Sequence, residues 1–403
     1  MDFDTLCHNL QVPSDSMEKL RPLWIEDGAL EQVPSFLTPD FFNVYREELS
    51  LSSAEIQIVD RLVQKVYDTA CSTPALAAFC NRVFQLLFVE SGDFSAANLP
   101  EFETLLGEAC GIPALLICLG AMPLVAEKYT ALGLPEKYHS GPIGWIAGTI
   151  RIYQTGSNGR YGQFFSQTYW LRHSVRGELF RIGRFEFQIR HDYHWHLPFF
   201  RNEQKEYLLF ADPAWLIDQD GFQTDTISDG VWMPHFYDDG GVLEGFPVDP
   251  ASGTVSKDKI RVESARWEPV LAPHSFCLHL HIPGGGGMTP EVAESSFKEA
   301  LEFFRTYFHR EVAAFVCYSW ILNPDWQRVL PASNIAELQR KVFLFPAGVD
   351  PHSGLFFVFG RTDDAFASYP ADNTLRRAFH QIWNEGGTLR PGCMILPTEF
   401  LKD

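Results

Sequence analysis

The amino-acid sequence predicts an α+β protein, with a helical N-terminal domain followed by a mixed β-sheet and flanking helices. Apolar residues near the N-terminus recur at helical spacing, whereas residues 179–190 alternate between apolar and polar as a strand does. Residues 276–308 read as a strand, a glycine loop and a helix in succession. The length of 403 residues is that of two or three domains. Pro, Gly and Ser cluster at 134–141, so we expect a helical domain at 1–138 and a sheet domain at 139–403.

Composition and charge bound the possible functions. Hydrophobic residues make up 46% and aromatic residues 14% of the chain, enough for packed cores rather than disorder. The 32 Lys and Arg against 51 Asp and Glu give a net charge of −19, which repels nucleic-acid phosphates and anionic membrane surfaces. The N-terminus lacks a signal-peptide pattern, no apolar run approaches about 18 residues, and eight cysteines occur without CxxC pairs. We therefore expect a cytoplasmic protein that binds neither nucleic acid nor membrane.

The N-terminal region has the signals of helices. Ser52 and Glu55 form an S-x-x-E capping box, which marks the start of a helix. The apolar stripe that follows recurs every three or four residues and comprises Ile56, Val59, Leu62, Val63, Val66 and Tyr67. Further helices are predicted at Pro74–Val89 and Leu99–Leu106, and an apolar stretch covers Ile112–Tyr129. Because these segments carry no catalytic group of residues, we interpret the region as a helical support or lid.

Strand signals dominate the sequence beyond residue 141. Ile146–Tyr153 and Phe164–Leu171 are rich in β-branched and aromatic residues and are predicted as strands. Leu179–Arg190 alternates between two sides, and Gly183 interrupts the alternation as a β-bulge would. The apolar side holds Phe185, Phe187 and Ile189, and the polar side holds Arg184, Glu186, Gln188 and Arg190. A short strand is expected at Glu206–Phe210, and 217–260 is a turn-rich excursion with short strands.

A glycine loop joins a strand to a helix in the C-terminal half. Phe276–Ile282 alternates as a strand, and four glycines at 284–287 follow it. Thr289 is a good N-cap for the next helix, with Pro290 at its first position. Glycine lets an anion approach the backbone, and the first N–H groups of a helix point towards it. The motif is neither a Walker loop nor a dinucleotide fingerprint, so it predicts either an anion site or a flexible surface turn.

The segments after this helix alternate between strands and helices. The predicted strands are Ala313–Trp320, Leu355–Phe359 and Met394–Leu396. The predicted helices are Pro324–Val329, Asn334–Val342 and Asn373–Trp383. This order of strand, loop, helix, strand and helix favours the anion-site interpretation of the glycine loop.

Several separate blocks of the second half resemble one protein family. They are residues 276–308, RIGRFEFQ (Arg181–Gln188), GFPVDPASG (Gly245–Gly253), FVCYSW (Phe315–Trp320), SNIAELQ (Ser333–Gln339) and LRRAFHQIWNEGGTLRPG (Leu375–Gly392). They resemble the bacterial two-domain GNAT-like acyltransferases, over most of 140–395. The resemblance implies a GNAT-like mixed sheet behind a helical N-terminal domain. It also implies transfer of an acyl group from acyl-CoA to a small-molecule amine acceptor, with coenzyme A as co-substrate and no metal.

The resemblance further implies where coenzyme A binds. In GNAT folds a splayed strand bonds to the pantetheine, and the loop and helix start after it hold the pyrophosphate. Here Leu280–Pro283 would meet the pantetheine, and Gly284–Thr289 would meet the pyrophosphate. The residues assigned to the donor are Leu280, Ile282, Gly284, Gly285, Gly286, Gly287, Met288 and Thr289. The loop departs from the family's pattern, which begins with Gln or Arg, because it consists of glycine.

Amine acylation needs a base for the ammonium proton and an acid for the leaving thiolate. His281, beside the loop, is the first candidate base, and the alternative is a histidine bonded within the sheet. Glu186 is the second candidate base, and its alternative is a solvated glutamate at a strand edge. Tyr318 and Ser319 follow on the next strand as candidate acids, unless they pack in the core or sheet.

Arg181 and Arg184 are candidate substrate-binding residues. Their guanidinium groups could bind a carboxylate on the acceptor or a phosphate, because the planar fork of arginine matches both anions. The alternative for each is a plain surface charge.

A histidine-rich group predicts a different activity. It comprises His191, His194, His196, Cys277, His279 and His281. Imidazole and thiolate suit zinc or iron, and a His-x-His strand places both rings on one side. A metal-dependent enzyme is therefore the second hypothesis, although no carboxylate ligand lies at a recognisable spacing. A third is a binding module without chemistry. Cys317 could also act as a nucleophile that carries the acyl group, but no partner His or Asp is identifiable by spacing.

Overall fold

The computed structural model describes residues 2–12, 14–21, 24, 32–90, 94, 99–190, 197–272 and 274–401. These residues group into two compact units, Met1–Arg181 and Ile182–Asp403. The first unit is helical and the second is built on a mixed sheet, which confirms the predicted α+β class. The division expected at 138–139 falls inside the first unit, because helices continue to Arg176.

The helices of the first unit are numbered in chain order. They are α1 (Phe3–Leu10), α2 (Ser14–Leu20), α3 (Pro39–Tyr45), α4 (Ser53–Ser72), α5 (Pro74–Phe84), α6 (Glu103–Leu106), α7 (Ile112–Gly120), α8 (Met122–Ala131), α9 (Gly141–Gly156), α10 (Phe165–Thr168) and α11 (Leu171–Arg176). A single π-helical turn, Gln85–Val89, extends α5 to the predicted end of that helix. The helix predicted at Leu99–Leu106 begins only at Glu103.

Helix α4 begins at the predicted capping box. The Ser52 hydroxyl accepts a hydrogen bond from the Glu55 N–H, and the Glu55 carboxylate accepts one from the Ser52 N–H at 2.8 Å. Arg151 of α9 donates to the same carboxylate, which joins two helices that are distant in sequence. The buried side of α4 consists of Val59, Val63, Val66 and Ala70, so three residues of the predicted stripe are buried, and Ile56, Leu62 and Tyr67 are partly buried.

Helix α7 is the most deeply buried helix segment of this unit among the described residues, since every residue from Ile112 to Gly120 is buried. With α8 it forms a stretch, Ile112–Ala131, that is long and apolar enough to cross a membrane by length and composition, with a mean hydropathy of 1.4. However, 72% of that stretch's apolar window is buried inside the protein. Burial on all sides is the property of a core helix.

The strands predicted at Ile146–Tyr153 and Phe164–Leu171 are wrong, because both segments contain helix. The first lies inside α9, and α10 occupies part of the second. In α9 the buried apolar residues recur at helical spacing, at Ile143, Ile146, Ile150 and Tyr153. Pro142 in the first turn of α9 is also a helix-start signal. The β-branched composition favoured strands, but burial on one helical face decides the structure.

The remaining strands and helices belong to the second unit. Its first strand begins at Leu179, three residues before the division between the units. The strands are β1 (Leu179–Ile182), β2 (Phe185–Gln188), β3 (Phe199–Asn202), β4 (Tyr207–Leu209), β5 (Phe236–Asp238), β6 (Val242–Gly245), β7 (Val248–Asp249), β8 (Thr254–Val255), β9 (Ile260–Glu263), β10 (Trp267–Pro269), β11 (Cys277–His281), β12 (Ala314–Ser319), β13 (Phe343–Phe345) and β14 (Gly392–Pro397). The helices are α12 (Pro290–Phe308), α13 (Asp325–Val329), α14 (Asn334–Gln339), α15 (Leu355–Phe359) and α16 (Thr374–Asn384).

The main sheet has six strands in the order β1-β2-β11-β12-β14-β13. Strands β11 and β12 are parallel and are joined through α12, whereas β2, β14 and β13 pair antiparallel to their neighbours. The predicted succession of strand, loop, helix and strand is therefore confirmed. Smaller sheets form from β3, β4 and β10, from β5, β6 and β9, and from β7 and β8, as expected of a turn-rich excursion.

Leu179–Arg190 forms two strands, β1 and β2, rather than the predicted single strand with a bulge. Gly183 and Arg184 make the turn between them, and Gly183 has a φ of +57°, which glycine adopts without steric cost. The Arg184 N–H donates to Ser296 Oγ at 2.6 Å, which fastens the turn to α12. A glycine that breaks an alternation signals a bulge or a turn equally well.

Leu355–Phe359 is helix α15, not the predicted strand. Gly354 and Gly360, with φ of +85° and +71°, bound the helix. Leu355 and Phe359 are its buried residues and lie four positions apart, which is helical spacing. A run of five apolar residues has too little periodicity to distinguish the two structures by sequence.

The two faces of the main sheet pack differently. On one face, the Phe297 ring of α12 lies 5.2 Å from Phe185, 6.3 Å from Phe187 and 4.8 Å from Phe315, centroid to centroid. The other face of β12, β13 and β14 packs on a second apolar cluster, which includes Ala314, Val316, Phe345, Cys393 and Ile395 together with residues of the excursion. Strand β12, in the middle of the sheet, is therefore covered on both faces.

Candidate active site

Strands β11 and β12 separate at their carboxyl ends. Their parallel pairing covers Cys277–His279 and Ala314–Val316 and ends there. Strand β11 continues to His281 in pairing with β2, whereas β12 continues to Ser319 in pairing with β14. An opening therefore forms between two neighbouring strands in the middle of the sheet. Backbone N–H and C=O groups along such an opening are available to a ligand.

Polar side chains from β2 and β11 gather beside this opening. The register sets His281 opposite Glu186 and His279 opposite Gln188, and all four lie on one face because side chains alternate along a strand. His281 Nε2 lies 2.9 Å from Gln188 Oε1. With Nε2 donating to this amide oxygen, Nδ1 keeps the lone pair that a base needs. The bond within the sheet thus orients the imidazole.

Glu186 is buried, which corrects the interpretation of a solvated glutamate at a strand edge. It is only 4% exposed, because β2 lies inside the sheet between β1 and β11. Gln188 and His279 are buried beside it. Three polar side chains that are buried together on one face of a sheet form a polar network, which is a feature that function can explain.

Tyr318 lies on the same face, near the carboxyl end of β12. The residue is 62% exposed, yet partial burial raises the pKa of its phenol above the ordinary value of 10.0, and the neighbouring Cys393, Asp350 and Asp225 raise this pKa further. The phenol therefore keeps its proton at neutral pH. An acid that protonates a leaving thiolate has this property.

Ser319 lies on the opposite side of β12 from Tyr318. Its hydroxyl accepts a hydrogen bond from the Ile321 N–H at 3.3 Å and so caps the 3₁₀ turn Trp320–Leu322. The structure thus brings His281, Glu186 and Tyr318 to one face of the sheet. The Ser319 hydroxyl does not join them, because it caps the turn that follows β12.

Cys277 of β11 and Cys317 of β12 are protonated thiols at neutral pH. Burial raises the pKa of Cys317 to about 12. Burial also raises the pKa of Cys277 to about 11. A thiol is a far weaker nucleophile than a thiolate, so neither residue is prepared for covalent catalysis.

The glycine loop connects β11 to α12 as predicted. The Thr289 hydroxyl accepts a hydrogen bond from the Val292 N–H, and Pro290 occupies the first turn of α12. Gly285 and Gly286 have φ of +76° and +70°, a region that glycine adopts readily. The pKa of Glu291 is lowered, first by a hydrogen bond from its own backbone N–H, so the first turn of α12 already favours negative charge.

Arg184 flanks this loop from the turn between β1 and β2. A methyl group placed on Gly286 would lie 3.7 Å from Arg184 Nε and 3.9 Å from its Cδ. Of the two predicted arginines, Arg184 is therefore the one that the structure brings to the glycine loop. Arg181 belongs to the first unit, where a methyl group on Gly141 would overlap its Cβ at 2.4 Å.

A cavity of about 470 Å³ adjoins the loop, between α12 and the β13 edge of the sheet. Met288 and Pro290 line it at the loop, and Phe297 lines it along α12. Small-molecule sites usually measure about 300–1,000 Å³, so the cavity has the size of a ligand site. Met288 is the residue that this cavity shares with the predicted donor-binding set.

The histidine-rich alternative is tested only in part. His191, His194 and His196 lie outside the described residues. Within the ranges that the structure describes, no three His, Cys, Asp or Glu side chains gather as a metal site would require. His281, one of the predicted ligands, instead contacts Gln188.

Sequence reasoning missed three residues of this region. Gln188 stands on the predicted polar side of β2, but its contact with His281 depends on the register between strands about 90 residues apart in sequence. Asp225 and Asp350 come from loops, and no local pattern distinguishes them from the other acidic residues of the chain. Of these three residues, only Gln188 could have been found from the sequence, because it belongs to the polar side of β2.

Residues 179–396 match the GNAT-like C-terminal domain family, and this match covers more than half of the chain. The chain belongs to this family. Its GNAT-like domain begins at β1 and ends in β14, so it includes the opening, the glycine loop and α12. The predicted family is thereby confirmed. No curated protein sequence matches the chain.

Solved structures share the fold over nearly the whole chain. An acyltransferase in complex with decanoyl-CoA and teicoplanin is 18% identical, with a TM-score of 0.62, and the alignment covers 98% of this chain and 99% of the other. An acyltransferase in complex with CoA and 10C-teicoplanin gives the same identity and coverage with a TM-score of 0.63. A mutant acyltransferase in complex with octanoyl-CoA is 17% identical, with a TM-score of 0.62 and the same coverage. At this identity the likeness establishes a common fold, with a helical N-terminal part before the GNAT-like domain.

Proposed function

We propose that the protein transfers an acyl group from acyl-CoA to an amine, by direct attack of the amine on the thioester. The observation that carries this proposal is the opening between β11 and β12, bordered by His281 and Tyr318 and continued by the glycine loop. The solved structures of the same fold include acyltransferases in complex with decanoyl-CoA and octanoyl-CoA. Their donors are the reason for choosing a CoA thioester here.

Acyl-CoA, the donor, binds through its pantetheine and its pyrophosphate. Backbone groups of Leu280 and Ile282 bond to the pantetheine along the opening. Residues 284–289 hold the pyrophosphate on the glycine N–H groups and the start of α12, where negative charge is favoured. Arg184 supplies the positive charge that an all-glycine loop lacks, since its side chain flanks Gly286.

The acceptor amine arrives as an ammonium ion and must lose a proton before it attacks. His281 takes this proton, and its contact with Gln188 through Nε2 fixes the orientation of the ring. Glu186, opposite His281 in the register and buried, favours the imidazolium that results. His281 is therefore the base, and Glu186 is its supporting carboxylate.

The neutral amine then forms a bond to the thioester carbonyl carbon, and the carbon–sulfur bond breaks. Tyr318 donates its proton to the departing thiolate, the second proton that the nitrogen loses as the amide forms restores the Tyr318 phenol, and the proton held by His281 passes to solvent. One proton is released for each amide formed. The raised pKa of Tyr318 supports this role, because it keeps the phenol protonated in the working range of an imidazole base.

Acidic residues beside Tyr318 suit a cationic acceptor. Asp225 and Asp350 act on the Tyr318 phenol electrostatically, and a methyl group on Gly348 would lie 3.3 Å from Asp225 Oδ2. Two carboxylates beside the acid attract an ammonium group and repel anionic acceptors. Two of the solved structures of this fold contain teicoplanin or 10C-teicoplanin, so a glycopeptide with a free amine is one acceptor to test.

The transfer proceeds in a ternary complex without an acyl-enzyme. Cys317, the thiol considered for an acyl-enzyme, is buried, and its pKa of about 12 keeps it protonated. Direct transfer requires donor and acceptor together, so double-reciprocal kinetics will give intersecting lines rather than parallel ones.

The decisive experiment measures the release of free CoA thiol from acetyl-, octanoyl- and decanoyl-CoA, with simple primary amines and a teicoplanin-type glycopeptide as acceptors. Mass spectrometry of the acceptor identifies the amide. We expect amine-dependent thiol release and an acceptor heavier by one acyl group. Binding of CoA without amide formation, for any acceptor with a free amine, would favour a binding module and contradict the proposed activity.

A further inference from the structure

We infer that His352 and Asp364 are positioning residues of the acceptor site. Together they fix the loop at residues 348–354, which carries Asp350, and so set how strongly the site prefers a cationic amine. We call residues 348–354 the Asp350 loop. The inference rests on the proposed function, in which Asp350 lies beside the acid Tyr318, and adds what holds Asp350 there.

A tight backbone turn restrains the Asp350 carboxylate. The His352 N–H donates to Asp350 Oδ1 at 3.0 Å, and the Ser353 N–H donates to the Asp350 carbonyl oxygen at 2.9 Å. An aspartate that accepts from the backbone N–H two residues on forms an Asx turn. Such a turn orients the side chain relative to its own backbone, so the direction of the Asp350 carboxylate depends on where His352 is held.

The His352 side chain ties this turn to a second loop, beyond helix α15. Its Nε2 lies 2.8 Å from Asp364 Oδ1, and the imidazole N–H is the donor because a carboxylate accepts. The second loop has hydrogen bonds of its own, since Arg361 donates to Asp363 at 2.9 Å and the Tyr369 hydroxyl donates to the Asp363 carbonyl oxygen at 2.9 Å. His352 therefore attaches the Asp350 loop to a segment that is itself held in place.

The end of the Asp350 loop rests on the strand end that carries Tyr318. A methyl group on Gly354, whose φ is +85°, would lie 2.8 Å from Cδ2 of Trp320. Trp320 follows β12 directly, two residues after Tyr318. This packing fixes the loop at Gly354, but it leaves the earlier part of the loop, with Asp350, to be held by the contact between His352 and Asp364.

The contact between His352 and Asp364 is suited to a local role. The His352 side chain is 36% exposed and the Asp364 side chain is 86% exposed. An ion pair or hydrogen bond this close to solvent contributes little to the stability of the whole domain. Its loss is therefore expected to release the Asp350 loop without unfolding the second unit.

The Tyr318 phenol reports the position of Asp350 without any substrate. Burial raises its pKa first, and Cys393, Asp350 and Asp225 then raise it further. A carboxylate that moves away from the phenol raises this pKa less. The ionisation of Tyr318 can be followed as the difference in tyrosinate absorbance between each protein and the same protein carrying Tyr318→Phe.

The test measures the pKa of Tyr318 in this way in His352→Ala, Asp364→Ala and Asp350→Asn. We expect all three to lower it, because the Asp350 carboxylate is released in the first two and neutralised in the third. His352→Gln, whose amide N–H can still donate to Asp364, will restore much of the unmodified value. The double variant Asp350→Asn/His352→Ala will not differ from Asp350→Asn, since no charge remains to be positioned.

The matched control is His235→Ala. His235 also contacts a carboxylate, that of Glu244 at 3.7 Å, but outside the Asp350 loop, and its side chain is 54% exposed. This variant is expected to leave the pKa of Tyr318 unchanged.

Steady-state kinetics separate acceptor binding from donor binding in the same variants. We expect His352→Ala and Asp364→Ala to raise KM for a cationic amine by about two- to fourfold and to leave KM for acyl-CoA unchanged, because only the acceptor meets Asp350. An unchanged Tyr318 pKa in His352→Ala, or a lowering that persists in the Asp350→Asn background, would overturn the inference alone. Absence of amide formation by the unmodified protein with every amine would overturn the proposed function, and the Tyr318 absorbance would still decide whether His352 positions Asp350.

Discussion

His281 Nε2 lies 2.9 Å from Gln188 Oε1, across two strands that are distant in sequence. This contact sets the tautomer of the ring, because a nitrogen that donates to an amide oxygen carries the proton. Gln188 is buried, so its amide is held in place and restrains the imidazole. The glutamine is therefore a positioning residue, and His281 is the residue that acts on the acceptor.

We expect His281→Ala to lower kcat by about 10²–10⁴-fold, the usual contribution of a general base, with a smaller change in KM. Gln188→Ala will lower kcat by about tenfold, because the ring remains but loses its orientation. Added imidazole will partly restore the activity of His281→Ala and will not restore that of Gln188→Ala. The matched control is His235→Ala, a half-exposed histidine of the same unit. Unchanged kcat in His281→Ala would show that another group takes the proton.

Tyr318→Phe tests the acid. Its phenol pKa is raised above 10.0, so the protonated form persists to higher pH than usual, and activity that depends on it falls only as the pH rises through that raised value. We expect Tyr318→Phe to lower kcat by about 10²-fold at neutral pH and to abolish the alkaline fall. Tyr237→Phe is the control, since Tyr237 is also an exposed tyrosine with a raised pKa. An alkaline fall that survives in Tyr318→Phe would assign it to a different group.

Much of the second unit could be predicted from the sequence. The strand, the glycine loop, the Thr289 cap and the start of α12 follow from local signals, because caps, glycines and alternation act within a few residues. The predictions failed where local composition conflicted with burial. Ile146 and Ile150 favour strands as β-branched residues, yet they lie four positions apart on the buried side of α9.

The candidate site was predictable only in part, for a physical reason. His281 and Glu186 stand out as polar residues on alternating strands, but their burial and their facing positions depend on pairing between β2 and β11. Pairing between distant segments leaves no trace in either segment alone. For the same reason, the approach of Arg184 to the glycine loop appears only in the folded structure, where Ser296 holds the turn.

The carboxylates of Asp225 and Asp350 are expected to make the acceptor site prefer a cationic amine. Asp350→Asn removes one negative charge near Tyr318 without a large change in shape, and we expect KM for a cationic amine to rise by a few-fold while KM for acyl-CoA is unchanged. The same variant will lower the pKa of Tyr318 towards its ordinary value. Asp258→Asn, at an exposed loop position, is the control. The effect should shrink as the ionic strength is raised, and a rise in KM that is independent of salt would contradict an electrostatic role.

Gly183 and Ser296 are expected to be energetically coupled. A Cβ on Gly183 would lie 2.4 Å from Ser296 Oγ, and its φ of +57° strains any other residue, so Gly183→Ala will lower the free energy of unfolding by about 2 kcal/mol. Ser296→Ala removes the acceptor of the Arg184 N–H and will cost about 1–2 kcal/mol. The double variant will lose less than the sum, because the clash is already removed. Strictly additive losses in urea unfolding would show that the two residues are independent.

Glu55 links the capping box of α4 to Arg151, and this contact predicts a pH dependence of stability. Its pKa is lowered from 4.5 to about 2, first by the hydrogen bond from Arg151 and then by the bonds with Ser52. Because the folded-state pKa is depressed, the carboxylate stabilises the fold above about pH 4.5, and this contribution is lost as the pH falls towards about 2. Glu55→Gln keeps an amide oxygen for the cap but removes the charge. We expect it to be less stable at pH 7 by about 0.5–1 kcal/mol, a modest value because the Arg151 side chain is 47% exposed.

The measurement is urea unfolding of Glu55→Gln and of the unmodified protein between pH 7 and pH 3. The difference between them should be constant down to about pH 5 and shrink below it, as the depressed pKa of about 2 requires. Glu47→Gln is the control, since the Glu47 side chain is 74% exposed, and it should show little difference at any pH. A difference that stays constant to pH 3 would place the stabilising effect in the neutral hydrogen bonds of the cap. In that case the ion pair with Arg151 contributes nothing measurable, and the capping box alone fixes the start of α4.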